Sequence, residues 1–292
     1  MKKKEIIKLT PSDIEYPEKL KRYKTFPKEL YAIGNIELLN KLSIAIVGTR
    51  NINNYGIVQT ERFASYLSQK GITIVSGLAN GVDTVAHTYS MEYEGKTIAV
   101  VASGFNHIFP KNNEILFRKI IENGGLIISE YKPDEDINMS NFHKRNRIIS
   151  RLAEATLVTE AGIKSGSTLT AHITMKDKKL VFCIPGNITD AVCRGCNLLI
   201  SEGAILVESP KEIIEYLEID EKLIDDSKIK PAYKEVYQLM NKTTPISVNE
   251  ICQITKKKIQ EVSEILLMLE TDGFIQEKGY NTYIIGGSDK NE

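Results

Sequence analysis

The sequence has no excess of charge, few cysteines and no long apolar run. Lys plus Arg and Asp plus Glu both number 38 in 292 residues. Overall charge therefore neither requires nor excludes a polyanion, because a local patch binds phosphate on a neutral protein. The four cysteines are too few for a disulfide scaffold in a chain of this size. The basic start MKKKEIIKLT lacks the apolar core of a signal peptide, and no segment approaches the ~20 apolar residues of a membrane span. No repeat or low-complexity tract interrupts the pattern. These absences describe a soluble, cytoplasmic protein with room for one large and one small domain.

What is present from 43 to 219 is a regular alternation. Seven short apolar segments read as strands: Ile44–Val47, Ile72–Ser76, Thr97–Ala102, Leu126–Ser129, Ala155–Thr159, Leu180–Ile184 and Ala204–Val207. Helical spacing fills the intervals, as in Phe63, Tyr66 and Leu67. The fold class is α/β, a mostly parallel, doubly wound Rossmann-like sheet. Residues 1–42 read as a lead-in packed on the sheet edge, and 220–230 as a charged linker. Residues 231–286 read as helix, short helix, long helix (Lys256–Leu269) and two strands turned by Asp272-Gly273, a winged helix-turn-helix. Residues 287–292 read as a disordered tail.

Doubly wound sheets bind ligands at the carboxyl ends of their strands, so the strand-to-helix loops carry the candidates. The first, Gly48-Thr49-Arg50, lacks G-x-G-x-x-G spacing but offers an arginine where a helix follows, soon after Gly56. Arg50 suits a phosphate or a surface carboxylate. The second runs Ser76-Gly77-Leu78-Ala79-Asn80-Gly81-Val82-Asp83 to His87, and its Asp83/His87 pair is either a general base or a helix start. The third, Gly104 to Asn113, places Phe105, His107 and Phe109 near Lys111, with Asn112 or Asn113 as a helix cap. Aromatics beside a cation suit a single strand's bases and phosphates; anchoring the loop in the core is the alternative.

The fourth segment, Asn141 to Arg151, has four Lys or Arg residues and no acid. As a helix it puts Lys144, Arg147 and Arg151 on one face and Ile148 and Ile149 toward the core. It reads as a phosphate contact or a solvated basic face. The fifth, Glu160 to Thr168, is not a Walker A loop; Ser165-Gly166-Ser167-Thr168 reads as an anion nest or a helix cap. No metal or cofactor is expected, since Cys193-x-x-Cys196 has zinc spacing but no partner pair. No nucleophile–base constellation accompanies the loops, so no catalytic residue is assigned.

In order, the segments YPEKL, PKELYAIGN, IAIVGTR, IVSGLANGVDTVAH, FPKNN, GGLIISEY, NFHKRNRIIS, VTEAGIKSGSTLTA, VFCIPGN and RGCNLLISEGA make the chain resemble the DNA-processing protein A (DprA/Smf) family over about residues 14–219. The resemblance implies an extended Rossmann-like domain that binds single-stranded DNA. It also implies loading of the RecA recombinase on incoming strands during natural transformation, past single-strand-binding protein. A homodimer without established catalytic activity is implied too, with Gly195–Val207 as its interface. Carried over position by position, Gly48, Thr49, Arg50, Gly77, Lys111, Lys144, Arg145, Asn146, Arg147, Ser165, Gly166 and Ser167 are the DNA-binding residues. Gly48-Thr49-Arg50 stands where the family usually has G-S-R, and Ser103 where it has glycine. Residues 228–292 hold nine lysines and nine acids, which favours protein contact over duplex reading, although Lys256-Lys257-Lys258 could open a recognition helix. Two other readings stand beside this one. A nucleotide N-glycosidase of a related fold would need a P-G-G-x-G-T-x-x-E loop, which is absent. A nucleotide-binding sensor or regulator would pair a small nucleotide with a duplex-binding winged helix.

Overall fold

The computed structural model describes residues 5–93, 95–219, 231–240, 244–271 and 274–285, apart from a few side chains. The linker expected over 220–230, the Asp272-Gly273 turn and the tail lie outside the described residues. The chain divides near residue 221 into two compact units.

The first unit is built on nine strands: β1 (Ile7–Leu9), β2 (Leu30–Gly34), β3 (Ser43–Val47), β4 (Thr73–Ser76), β5 (Thr97–Val101), β6 (Leu126–Ser129), β7 (Ala155–Val158), β8 (Val181–Cys183) and β9 (Ile205–Leu206). The last seven are the seven apolar segments of the sequence, with no end shifted by more than one residue. Every residue of β3 to β8 is buried, because helices cover both faces. The sheet order is β1-β2-β6-β5-β4-β3-β7-β8-β9. Strands β3 to β9 are parallel, and β2 joins β6 antiparallel with Tyr31 opposite Ser129. The crossovers carry α2 (Asn54–Gln69), α3 (Val82–Ser90), α4 (Glu114–Glu122), α5 (Met139–Leu152), α6 (Gly166–Lys176) and α7 (Arg194–Ser201). Short α1 (Glu18–Lys21) precedes β2, and α8 (Pro210–Tyr216) follows β9.

The lead-in belongs to this core. Tyr16, Leu20 and Leu30 are buried in one cluster with Val100, Ile128 and Ile148. The Tyr16 hydroxyl donates to the Pro27 carbonyl at 2.6 Å, so the buried ring keeps its polar end satisfied. Each such side chain contributes about 1.5–3 kcal/mol by leaving water, which fixes the chain before β2 against the sheet.

The second unit packs α9 (Pro231–Tyr237), α10 (Val248–Thr255) and α11 (Ile259–Thr271) on a three-stranded sheet of β10 (Ile246–Ser247), β12 (Thr282–Ile285) and β11 (Ile275–Glu277), in that order. This is a winged helix. Val236, Ile251, Val262, Leu266, Leu269 and Phe274 meet in its core. Ser247 and Glu250 form a reciprocal cap on α10, satisfying two orphan backbone donors. The lysine triplet does not open the long helix. Lys256 ends α10 in a left-handed conformation (φ +56°), and α11 begins only at Ile259.

Candidate functional site

Strand β3 lies between β4 and β7. The chain leaves β3 toward one side and later returns to its other side, so the loops after β3 and β7 diverge. Such a switch point leaves a crevice at the carboxyl ends of the strands. A cleft of about 410 Å³ occupies it, lined by Gly48, Thr49 and Arg50 after β3, Ala79 and Asp83 after β4, Phe142, Arg145 and Asn146 of α5, and Ser165, Gly166 and Ser167 at the start of α6. Eight of the twelve sequence candidates are in that lining.

The first loop divides its labour. A Cβ at Gly48 would sit 2.3 Å from Val82 Cγ2 and 2.7 Å from the Glu160 carbonyl oxygen, so glycine serves close packing of α3 and β7. The Thr49 N–H donates to the Glu160 carbonyl at 2.7 Å. Asn53 caps α2 by accepting from the Gly56 N–H, and its Nδ2 donates to Asp190. Tyr55 donates to the Pro185 carbonyl at 2.7 Å. Helix α2 thus starts at Asn54, inside the stretch that reads as loop, because Asn53 supplies the cap. Arg50 is left exposed at the cleft. Its guanidinium stands 5.6 Å from the Phe142 ring centre, and among the described residues no carboxylate pairs with it.

Helix α5 sorts its cations by face. Arg145 is buried, with Nη1 donating to the Val100 carbonyl at 2.6 Å. Its Nε is buried with no hydrogen-bond partner among the described residues. Burial lowers its pKa to about 10, so the guanidinium stays charged at neutral pH. A charged, partly unsatisfied group in a cleft marks a place where stability yields to binding. Gly77 makes room for it, since a Cβ there would lie 1.8 Å from Arg145 Nη1. Asn146 Nδ2 donates to the Gly166 carbonyl at 3.1 Å and ties α5 to the start of α6. Lys144 is exposed beside them and lies outside the cleft lining.

Arg147 and Arg151 take another course. Arg147 Nη2 contacts both carboxylate oxygens of Glu130, the longer contact at 2.6 Å. Arg151 Nε donates to Asp177 at 2.7 Å, and its guanidinium lies 4.3 Å from the Tyr23 ring centre. The run has no acid of its own, yet acids from distant segments neutralise two of its four cations.

At the start of α6, Ser165 Oγ accepts from the Thr168 N–H at 3.3 Å. The serine is a helix cap, and the helix N-terminus still presents its dipole to the cleft. Lys111 lies outside the cleft, exposed and two residues past Phe109. The Phe109 ring meets Phe142 edge-on, centres 5.6 Å apart, so this loop abuts the cleft rim. Phe105 is instead a core anchor against Phe117. Asn113 caps nothing with its side chain: its Nδ2 donates to the Leu78 carbonyl and Thr84 Oγ1, both at 2.9 Å, tying the second loop to the third.

The Asp83/His87 pair is structural. Asp83 accepts from the N–H groups of Gly77 (3.0 Å) and Ala79 (3.3 Å), while burial pushes its carboxyl pKa up and Arg145 opposes that. His87 Nε2 accepts from the Leu78 N–H, which puts the ring proton on Nδ1, 2.7 Å from Thr97 Oγ1. Burial, aided by Arg145, lowers the His87 pKa to about 3, so the ring stays neutral. The two thiols of the C-x-x-C pair turn to different partners: Cys193 Sγ to Glu160 at 3.9 Å, Cys196 Sγ to the Val158 carbonyl at 3.7 Å. Glu160, Asp190 and Cys193 bring ligand atoms within 4.8 Å of one another. The two acids accept hydrogen bonds from Asn53, and burial pushes the Cys193 thiol pKa up to about 11.

Phe142 and exposed Met139 are the cleft residues the loops alone do not reveal. Their signal is spacing: 139, 142, 146 and 149 fall on one helical face, with Arg145 beside it.

The model of DNA recombination-mediator protein A matches residues 8–218, most of the chain. The chain belongs to this family. The family's winged helix domain matches residues 227–279. Protein Smf of Escherichia coli is 34% identical over 280 residues, covering 91% of this chain and 74% of that protein. DNA processing protein DprA of Streptococcus pneumoniae is 39% identical over 199 residues, covering 68% of this chain and 70% of its own. Among solved structures, DNA processing protein A of Helicobacter pylori, described through its single-stranded DNA binding mode, aligns with TM-score 0.66 and 32% identity over 73% of this chain and 96% of that one. Family membership makes this a DNA-processing, recombination-mediator protein. No helix among the described residues is long and apolar enough to cross a membrane.

Proposed function

We propose that the protein binds single-stranded DNA at the switch-point cleft and loads RecA recombinase on that strand, past single-strand-binding protein, during natural transformation. The observation that carries the reading is Arg50 at the cleft with no carboxylate partner among the described residues, above buried Arg145. Arg50, Lys144 and Lys111 take backbone phosphates along a track from cleft to rim. Arg145, Asn146 and the Ser165–Ser167 turn shape the cleft floor, with Gly48, Thr49 and Gly77 permitting its geometry. Phe142 and Phe109 offer faces on which bases stack. Arg147, held by Glu130, orients α5 from below rather than meeting phosphate. The Helicobacter relative's description supports the single-stranded ligand. The reading assigns no catalytic step and no cofactor, and places the protein in the cytoplasm.

A homodimer fits the surface formed by α7 and the edge strand β9, where Leu198 of α7 and Leu206 of β9 are 39% and 43% exposed. Sedimentation of Leu198→Asp/Leu206→Asp tests it, a monomer being the expected result.

Fluorescence anisotropy with labelled oligothymidine and a duplex of equal length, across a salt series, tests the main reading. Tighter single-strand binding, with a log–log slope of about −0.7 per phosphate contacted, is expected. Equal or absent binding, with saturable binding of a mononucleotide instead, moves the assignment to a nucleotide sensor. Faster RecA assembly on strands coated with single-strand-binding protein tests the loading step.

A further inference from the structure

The winged-helix unit presents its long helix in a form unsuited to duplex DNA. Helices that enter a major groove meet phosphates and need cations. Helix α11, IQEVSEILLMLET, carries Glu261, Glu264 and Glu270 and neither lysine nor arginine. The preceding Lys257 is committed to Glu261 at 2.7 Å and Glu235 at 3.7 Å.

The inward face of α11 is consumed by the core through Val262, Ile265, Leu266 and Leu269. Leu267 points the other way and is 61% exposed. It borders a groove of about 630 Å³ between α9 and α11, with Ile265, Met268 and Tyr233 as apolar lining and Glu235, Glu261, Glu264 and the bridging Lys257 on its walls. An apolar trough whose described walls hold three carboxylates against one ammonium keeps a net negative charge, and it is complementary to one kind of surface, an amphipathic helix whose apolar stripe is flanked by lysine or arginine.

We propose that this groove docks a basic amphipathic helix of a protein partner. Duplex DNA is disfavoured because its phosphates would face Glu264 and a Glu235–Lys257–Glu261 cluster that is still net negative. A second copy is disfavoured because it brings the same acids to the same place, and like charges across an interface cost affinity. The site is separate from the strand-binding cleft, so either assignment stands or falls without the other.

The test uses the full-length chain and a fluorescein-labelled peptide of leucine and lysine in amphipathic helical register. A scrambled peptide of equal composition is the control. The amphipathic peptide should bind saturably and about tenfold tighter than the scrambled one. Leu267→Ser and Glu264→Lys should each weaken it by about five- to tenfold. Both positions are exposed, and circular dichroism melts confirm that both variants fold. Oligothymidine affinity should not change in either. Equal binding of the two peptides, or no effect of either variant, overturns the proposal. So does duplex DNA binding that Leu267→Ser abolishes, or a dimer that Leu267→Ser dissociates.

Discussion

Two cations, Arg50 in the first unit and Lys257 in the second, meet opposite fates. At the cleft of the first unit, Arg50 faces an aromatic ring and no carboxylate among the described residues. In the second unit, Lys257 lies between two glutamates. Both the whole chain and residues 228–292 are neutral by count, so net charge does not distinguish them. Pairing does. An electrostatic footprint is made by cations the fold leaves unpaired, and the same rule operates within α5, where Arg147 and Arg151 are paired while Lys144 is exposed and Arg145 is turned inward.

Acid should break this comparison most strongly. All four histidines precede residue 221. The folded chain holds His87 neutral, its pKa lowered from 6.5 to about 3 chiefly by burial. The unfolded chain therefore takes up a proton that the fold refuses. The stability this contributes is complete above pH 6.5 and is lost as pH falls toward 3, by roughly 5 kcal/mol at its full extent. Thermal melts followed by circular dichroism should show the first unit losing stability below pH 6 ahead of the second. His87→Gln should flatten that dependence, and an unchanged pH profile in this variant would refute the assignment.

The next largest effect is on binding. Arg50→Ala combined with Lys111→Ala should weaken oligothymidine binding about a hundredfold and lower the salt slope, with an unchanged melting temperature. Unchanged affinity would remove both residues from the track. Gly77→Ala should weaken binding about tenfold and cost about 2 kcal/mol in urea unfolding, because its methyl group displaces Arg145. Wild-type stability in Gly77→Ala would show that Arg145 has room to move. Lys257→Ala should do least: less than a twofold change in oligothymidine affinity and no measurable shift in melting temperature. A tenfold loss there would erase the contrast between the units.

Much of this was legible in the sequence, and the remainder has a physical reason. Strands β3 to β9 announce themselves because burial on both faces demands short apolar runs. Strands β1 and β2 do not: Ile7-Lys8-Leu9 is three residues long, and β2 pairs with β6, almost a hundred residues away. The loops after β3 and β7 flank the crevice that a switch point requires, and the helix bearing NFHKRNR lines it. What sequence could not supply was pairing at long range. Glu130 and Asp177 neutralise half of the basic run, and neither lies within it. The direction of Arg145, inward under Gly77, and the rim formed by Phe109 with Phe142 likewise depend on segments about thirty or more residues apart.

The most direct test of the account is photo-crosslinking of an oligonucleotide carrying 5-iodouracil, followed by peptide mapping on the full-length protein. The account predicts crosslinks in the peptides bearing Phe142 and Phe109, reduced in Arg50→Ala. Crosslinks confined to residues 231–285 would place the strand on the other unit and contradict it.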